Sequence, residues 1–228
     1  MSRIAAWLAA VALFTMVTGV PLVYYRYCYT HGKRLRPVEE GKVYRSGCMT
    51  ADGLAHAIKS LGIRTVLNLM EEFSDPVLST GYFDTTEVHE AELCERLGAR
   101  MVNLVVDTIP PNRVASERPG GIDRFLDLMD HGENYPVLIH CRAGLHRTGI
   151  IVAVYRMEYD HWSRDEAMGE LKANGFGNFA ATAANDYILQ YILTYEPGRR
   201  WQKSGFRGQV SGDPPRLLPD PCPLPSVP

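Results

Sequence analysis

Hydrophobic and polar positions divide the chain into three regimes. Residues 4–25 (IAAWLAAVALFTMVTGVPLVYY) carry no charge. As a helix rising about 1.5 Å per residue they reach roughly 33 Å, enough for a hydrocarbon core about 30 Å thick. Tyr24, Tyr25, Tyr27 and Tyr29 then cluster where aromatic side chains suit a membrane interface. The segment reads as one N-terminal transmembrane helix. A cleaved signal peptide is the alternative, because Arg3 supplies a basic start. The apolar run is longer than the ~7–15 residues of such peptides, and no A-x-A site follows it. One Arg precedes the span, whereas Arg26, Lys33, Arg34 and Arg36 follow it. That asymmetry places the remainder of a single-pass membrane protein in the cytoplasm.

The middle regime alternates strand and helix signals. Short apolar or β-branched runs at 44–46, 63–69, 101–106 and 136–140 predict strands. Helices are expected from Thr50 to 61–62, over 86–97 closed by Gly98, over 114–129, over 149–159, after the Ser163–Glu166 capping box, and over 182–195. Such alternation predicts an α/β fold, a central mainly parallel sheet flanked by helices. The last regime, 197–228, holds eight of the 15 prolines and has neither period, which predicts a disordered Pro-rich tail. The expected organisation is an anchor and basic juxtamembrane segment over 1–36, a catalytic domain over 37–196, and the tail.

Charge sharpens this picture. The formal net charge of −2 conceals a body, 37–196, with 14 basic and 24 acidic residues, between basic termini. An acidic body argues against nucleic-acid binding, most of whose affinity comes from neutralising phosphates. Five cysteines in 228 residues are too few for a disulfide scaffold.

The candidate chemistry lies between the strand at 136–140 and the helix after it, in His140-Cys-Arg-Ala-Gly-Leu-His-Arg-Thr-Gly149. A tight loop from a strand end into a helix aims successive backbone N–H groups at one point, and the helix start adds partial positive charge. The backbone of Arg142, Ala143, Gly144, Leu145 and His146 would form that anion cradle. Arg147 offers parallel N–H donors to two oxygens of a tetrahedral anion. Cys141 sits where the same field favours a thiolate, a nucleophile beside a bound phosphoryl group.

HCRAGLHRTG resembles the phosphate-binding loop of the cysteine-dependent protein tyrosine phosphatases, in particular their compact dual-specificity branch. VYRSG at 43–47, GIRTVLNL at 62–69, YPVLIHC at 135–141 and SRDEAMGEL at 163–171 resemble further segments of that family, so the similarity spans roughly residues 38–180. The resemblance implies metal-free, cofactor-free phosphomonoester hydrolysis through a phosphocysteine. It implies that Thr148 hydrogen-bonds the sulfur and that His140 tunes the cysteine through its loop. A satisfied core histidine is the other reading of His140. Arg142 and His146 are expected to turn their side chains to the rim or solvent.

The family also needs a general acid. Asp107, in VVDTIPP and 34 residues before Cys141, follows a strand on a loop stiffened by two prolines, at the edge where the cradle would lie. Asp107 would protonate the leaving oxygen and then deprotonate the attacking water. The alternatives are a cap for the helix expected near Val114, and Asp75 as the acid. Phosphotyrosine, or mixed phosphoprotein, is the expected substrate; a phosphoinositide and a non-catalytic, membrane-tethered binding module are the other readings. A rhodanese or arsenate reductase would share a Cys-to-Arg loop but leaves the Asp107 loop and VYRSG unexplained. Cys48 is either a small residue before a helix or a disulfide partner for Cys141. Cys94 is expected in packing, with Cys28 and Cys222 outside the body.

Overall fold

The computed structural model describes residues 3–27, 31–80, 86–177 and 183–200. Residues 201–228 of the Pro-rich tail, Cys28 and Cys222 lie outside them. Helix α1 (Arg3–Arg26) buries none of its side chains. Its mean hydropathy of 2.0 makes it long and apolar enough to cross a membrane, as a signal sequence near an N-terminus also is.

The body is a five-stranded mixed sheet in the order β1-β2-β7-β3-β6. Strands β2 (Val43–Gly47), β7 (Val137–Cys141), β3 (Thr65–Asn68) and β6 (Arg100–Asn103) are parallel, and β1 (Arg36–Glu39) is an antiparallel edge. The central strand β7 is buried throughout, which is why PVLIH reads as an unbroken apolar run. Side chains alternate across it. Val137, Ile139 and Cys141 join one core with Ile122, Phe125, Ile150 and Tyr191. Leu138 joins the other with Leu54, Ile58, Val66 and Leu93. Each such side chain contributes about 1.5–3 kcal/mol through burial.

Helix ends follow local chemistry. Thr50 accepts from Gly53 N to start α2 (Ala51–Leu61), and Gly62 at φ 64° closes it. Such a cap contributes ~1 kcal/mol. Ser163 and Glu166 form the expected capping box of α6 (Arg164–Ala173).

Three expectations change. The helix expected over 86–97 divides into strand β5 (Glu87–His89) and a short α3 (Glu90–Arg96). Leu78 of β4 (Val77–Ser79) pairs with Val88, so a distant strand takes the backbone bonds a first helical turn would use. The helix expected over 114–129 begins only with α4 (Gly120–Asp130), because Pro119 ends the preceding turns, including a 3₁₀ turn over Pro111–Arg113. Helix α5 (His146–Tyr159) begins inside the candidate loop, so Arg147 and Thr148 lie in its first turn. Finally α7 (Ala183–Ile188) continues into a π-helical turn, Leu189–Leu193.

Candidate active site

The loop is built from β7 outward. Cys141 ends the strand with its side chain nearly enclosed, 5% exposed, and Gly144 N donates to its Sγ at 3.3 Å. Gly144 has φ 72°, and a Cβ there would stand 2.6 Å from Gly47 N and Ser46 O. Only glycine lets the loop turn that tightly against β2. Arg45, buried on β2, donates to Gly144 O at 3.2 Å. Burial, with Arg36 nearby, pushes its guanidinium down to about 10. Cys48 N donates to Arg142 O at 3.3 Å. Thus β2 and the residue after it clamp the loop on one side. The sequence reading noticed YRSG without assigning Arg45 this role.

Thr148 is fully buried, and its Oγ1 has no hydrogen-bond partner among the described residues, so the expected bond to the Cys141 sulfur is not formed in this structure. A buried hydroxyl without a partner is costly. His140 lies on the opposite sheet face from Cys141, its Nε2 3.0 Å from Oε1 of an equally buried Glu90. His140 is therefore a core histidine with an acidic neighbour on α3, a partner the sequence did not reveal. Arg142 is exposed as expected. His146 is not on the rim: it packs edge-on against Phe176, ring centroids 5.2 Å apart, because it already belongs to α5.

Arg147 projects from the first turn of α5. Its Nη1 and Nη2 donate to Glu72 Oε2 and Oε1 at 2.8 and 2.9 Å, and Nη1 also reaches Leu69 O at 3.4 Å. The bidentate pair holds the Glu72 carboxyl down at about 2 and raises the guanidinium. Glu72 sits on the loop after β3, which Asn68 shapes by donating to Phe73 O at 2.8 Å and accepting from Met70 N at 2.9 Å. Asn103 adds a bond to Met70 O at 3.1 Å. Sequence reasoning missed Glu72, since nothing in EEFSD specifies which carboxylate meets a distant arginine.

The two acid candidates are placed as helix caps. Asp107 accepts from Gly121 N at 2.8 Å and Gly120 N at 3.2 Å, at the start of α4, and Tyr191 donates to its carbonyl at 2.7 Å. Gln190 fastens the same loop through both its amide atoms to Ile109, at 2.8 and 2.9 Å. Asp75 accepts from Ala91 N at 2.9 Å and lies 3.1 Å from His89 Nδ1. Cys48, Cys94 and Cys141 are all free. Burial, followed by Glu90, pushes the Cys48 thiol up to about 11 and the Cys94 thiol to about 12, so neither is a ready thiolate.

One strand, turn and helix start thus carry Cys141, Arg147 and Thr148, while Asp107 lies on the loop after β6, separated from β7 by β3 rather than on an adjacent strand. The dual specificity protein phosphatase TpbA of Pseudomonas aeruginosa is 42% identical over 43 residues, a match covering 19% of this chain and 20% of that protein. Among solved structures, the core catalytic domain of the PP-IP phosphatase Siw14 from S. cerevisiae shares the fold: TM-score 0.51, 19% identity, covering 70% of this chain and 85% of the other. TpbA itself superposes with a TM-score of 0.48 at 20% identity, over 68% of this chain and 81% of that one. The model of the tyrosine phosphatase family matches residues 33–204. Its match spans β1 to β7, the loop from Cys141 to Arg147 and the helices behind it, and the chain belongs to that family.

Proposed function

We propose that the chain hydrolyses phosphate monoesters through a phosphocysteine, its two substrate classes being phosphotyrosine, with phosphoserine or phosphothreonine, in proteins, and phosphoinositides. The observation that carries the reading is an enclosed Cys141 thiol under Gly144 N, on a loop that opens directly into α5 with Arg147 in its first turn. Arg147 and the loop N–H groups bind the phosphoryl oxygens and hold the charge that develops on them. The Cys141 sulfur attacks phosphorus as the ester oxygen leaves, taking a proton from Asp107. Water then attacks the phosphocysteine, gives its proton to Asp107 and releases the sulfur, which Thr148 steadies by a hydrogen bond. The scheme calls on protein side chains alone. Asp107 reaches its role by leaving the α4 N–H groups as its loop closes over substrate.

The same reading makes α1 a single-pass anchor with the catalytic domain, 37–196, on the cytoplasmic side and the segment 197–228 as a Pro-rich tail. The thiol chemistry suits that reducing compartment. A phosphoinositide is the second substrate reading, favoured by Lys33 and Arg34 lying against the loop.

The test uses the full chain in detergent, with reductant and chelator, and follows phosphate release from a phosphotyrosine peptide, a phosphothreonine peptide and a phosphoinositide. Cys141→Ser is the control. Cys141-dependent release supports the phosphocysteine mechanism, and the preferred ester identifies the substrate class. Binding without release from any of the three overturns the enzyme reading and leaves a tethered binding module.

A further inference from the structure

Residues 31–35, just before the sheet, pack against the catalytic loop. Tyr27 O accepts from Gly32 N at 2.8 Å, and the Tyr27 ring stacks on His31 with centroids 5.6 Å apart. His31 packs on α2 so tightly that a Cβ at Gly53 would stand 2.0 Å from His31 O. Lys33 O accepts from Gly47 N at 2.7 Å, and Arg34 Nη1 donates to Ala143 O, inside the catalytic loop, at 2.9 Å. A Cβ on Gly47 would touch both the Lys33 stem, at 2.9 Å, and the Ala143 carbonyl carbon, at 3.1 Å. Lys33 and Arg34 hold φ at 31° and 63°. Two successive left-handed residues that are not glycine cost of order 1–3 kcal/mol each and persist where the surroundings impose them.

This strained turn concentrates cations. Arg34 holds Ala143 O and the Lys33 stem lies over Gly47, next to the loop residue that follows the exposed Arg142. Arg34 and Arg36, like Arg36 and Arg45, are close enough to repel one another. Among the described residues Arg36 Nη2 and Arg45 Nε are buried without hydrogen-bond partners, and Glu170 is a carboxylate that acts on both. Like charges packed together in an otherwise acidic body lower one another's affinity for protons, and a bound anion relieves that repulsion. The acidic average of residues 37–196 therefore does not describe the mouth of the site, because three of these cations come from the segment before it.

Position adds a constraint. Six residues lie between Arg26, the end of α1, and Lys33, so the seven steps reach at most about 25 Å even fully extended. Chain geometry alone keeps Lys33 within that distance of the end of α1.

We propose that Lys33, Arg34 and Arg142 form a second anion subsite beside the cradle, and that the substrate is a phospholipid headgroup carrying a further phosphate next to the one hydrolysed. The proposal rests on the phosphocysteine reading and selects between its two substrate classes. The cradle takes the scissile phosphoryl group while the rim takes its neighbour, with the acyl chains remaining in the bilayer that holds α1.

The experiment measures kcat/KM for the full chain on three substrates: p-nitrophenyl phosphate, a phosphotyrosine peptide, and phosphatidylcholine vesicles carrying phosphatidylinositol bisphosphate. The vesicle substrate is expected to exceed the peptide by about tenfold or more. Lys33→Ala/Arg34→Ala is expected to lower the ratio of vesicle to p-nitrophenyl phosphate activity by about 10- to 100-fold, the effect of losing charge-assisted bonds. Lys33→Arg/Arg34→Lys is expected to retain most of it. Should the alanine variant not fold, rising salt should lower the same ratio in the wild-type protein, because exposed cations are screened. A peptide preference, or a ratio indifferent to both the substitutions and salt, overturns the subsite. Loss of Cys141-dependent turnover on all three, p-nitrophenyl phosphate included, is a separate outcome that overturns the phosphocysteine reading itself.

Discussion

Two loops leave the same edge of the sheet, one from β7 and one, beyond β3, from β6, and they are organised in opposite ways. The loop after β7 is held by backbone packing: Gly144 fits under β2 with no room for a side chain, Arg45 grips its carbonyl, and α5 begins before the loop is complete. Its backbone path is fixed by that packing. The loop after β6 is held by exchangeable hydrogen bonds, with Asp107 on the α4 N–H groups and Gln190 on Ile109. Replacing those bonds with others costs little, whereas unpacking the first loop costs much of its core contact. Under the proposed mechanism the first loop would serve as the cradle and the second would carry the acid, so the contrast predicts constant binding geometry while the proton donor approaches and withdraws.

The largest test of this contrast is at the cradle. Cys141→Ser is expected to abolish turnover while phosphate-ester binding survives, as read by phosphate release beside direct binding. Arg147→Ala should lose both, because one side chain serves ground state and transition state. Next, Asp107→Asn distinguishes acid from cap. Asparagine caps a helix about as well as aspartate, so the melting temperature should hardly move. Turnover should fall by about 10²–10⁴, most for poor leaving groups. An unchanged rate would leave Asp107 as a cap and move the acid role to another carboxylate. Gly144→Ala should reduce stability by about 1–3 kcal/mol through its left-handed backbone and close neighbours, measured by denaturant unfolding. A neutral result would mean that the cradle is softer than its packing indicates.

The smallest effect concerns Glu72. Its carboxyl is lowered from 4.5 to about 2 by the Arg147 bonds, so the pair is complete above about 4.5 and opens only as pH falls toward 2. Phosphate affinity should therefore show no Glu72 titration between pH 7 and 5. Glu72→Gln should instead change that affinity by a pH-independent factor, checked by phosphate inhibition constants across the range.

Much of the molecule follows from local rules. A buried apolar run became β7, Thr50 and Ser163 capped their helices, and the Gly-containing turn from β7 into α5 could be identified before any coordinates. The strand, turn and helix that carry Cys141, Arg147 and Thr148 are legible because they lie within a dozen residues and their geometry is dictated locally. Other features depend on partners far away in sequence. Val88 is a strand residue only because Leu78 lies opposite it, and His140 meets Glu90 fifty residues earlier across the sheet. Glu72 reaches Arg147 because two asparagines fold its loop, and Arg34 reaches Ala143 because the chain turns back after α1. The sequence by itself determined which residues can form an anion-binding nucleophilic loop, since helix caps, strand burial and glycine turns are properties of a few adjacent residues. The tertiary structure decided which charges surround that loop, because an ion pair depends on distance in space, and only the packed sheet sets that distance.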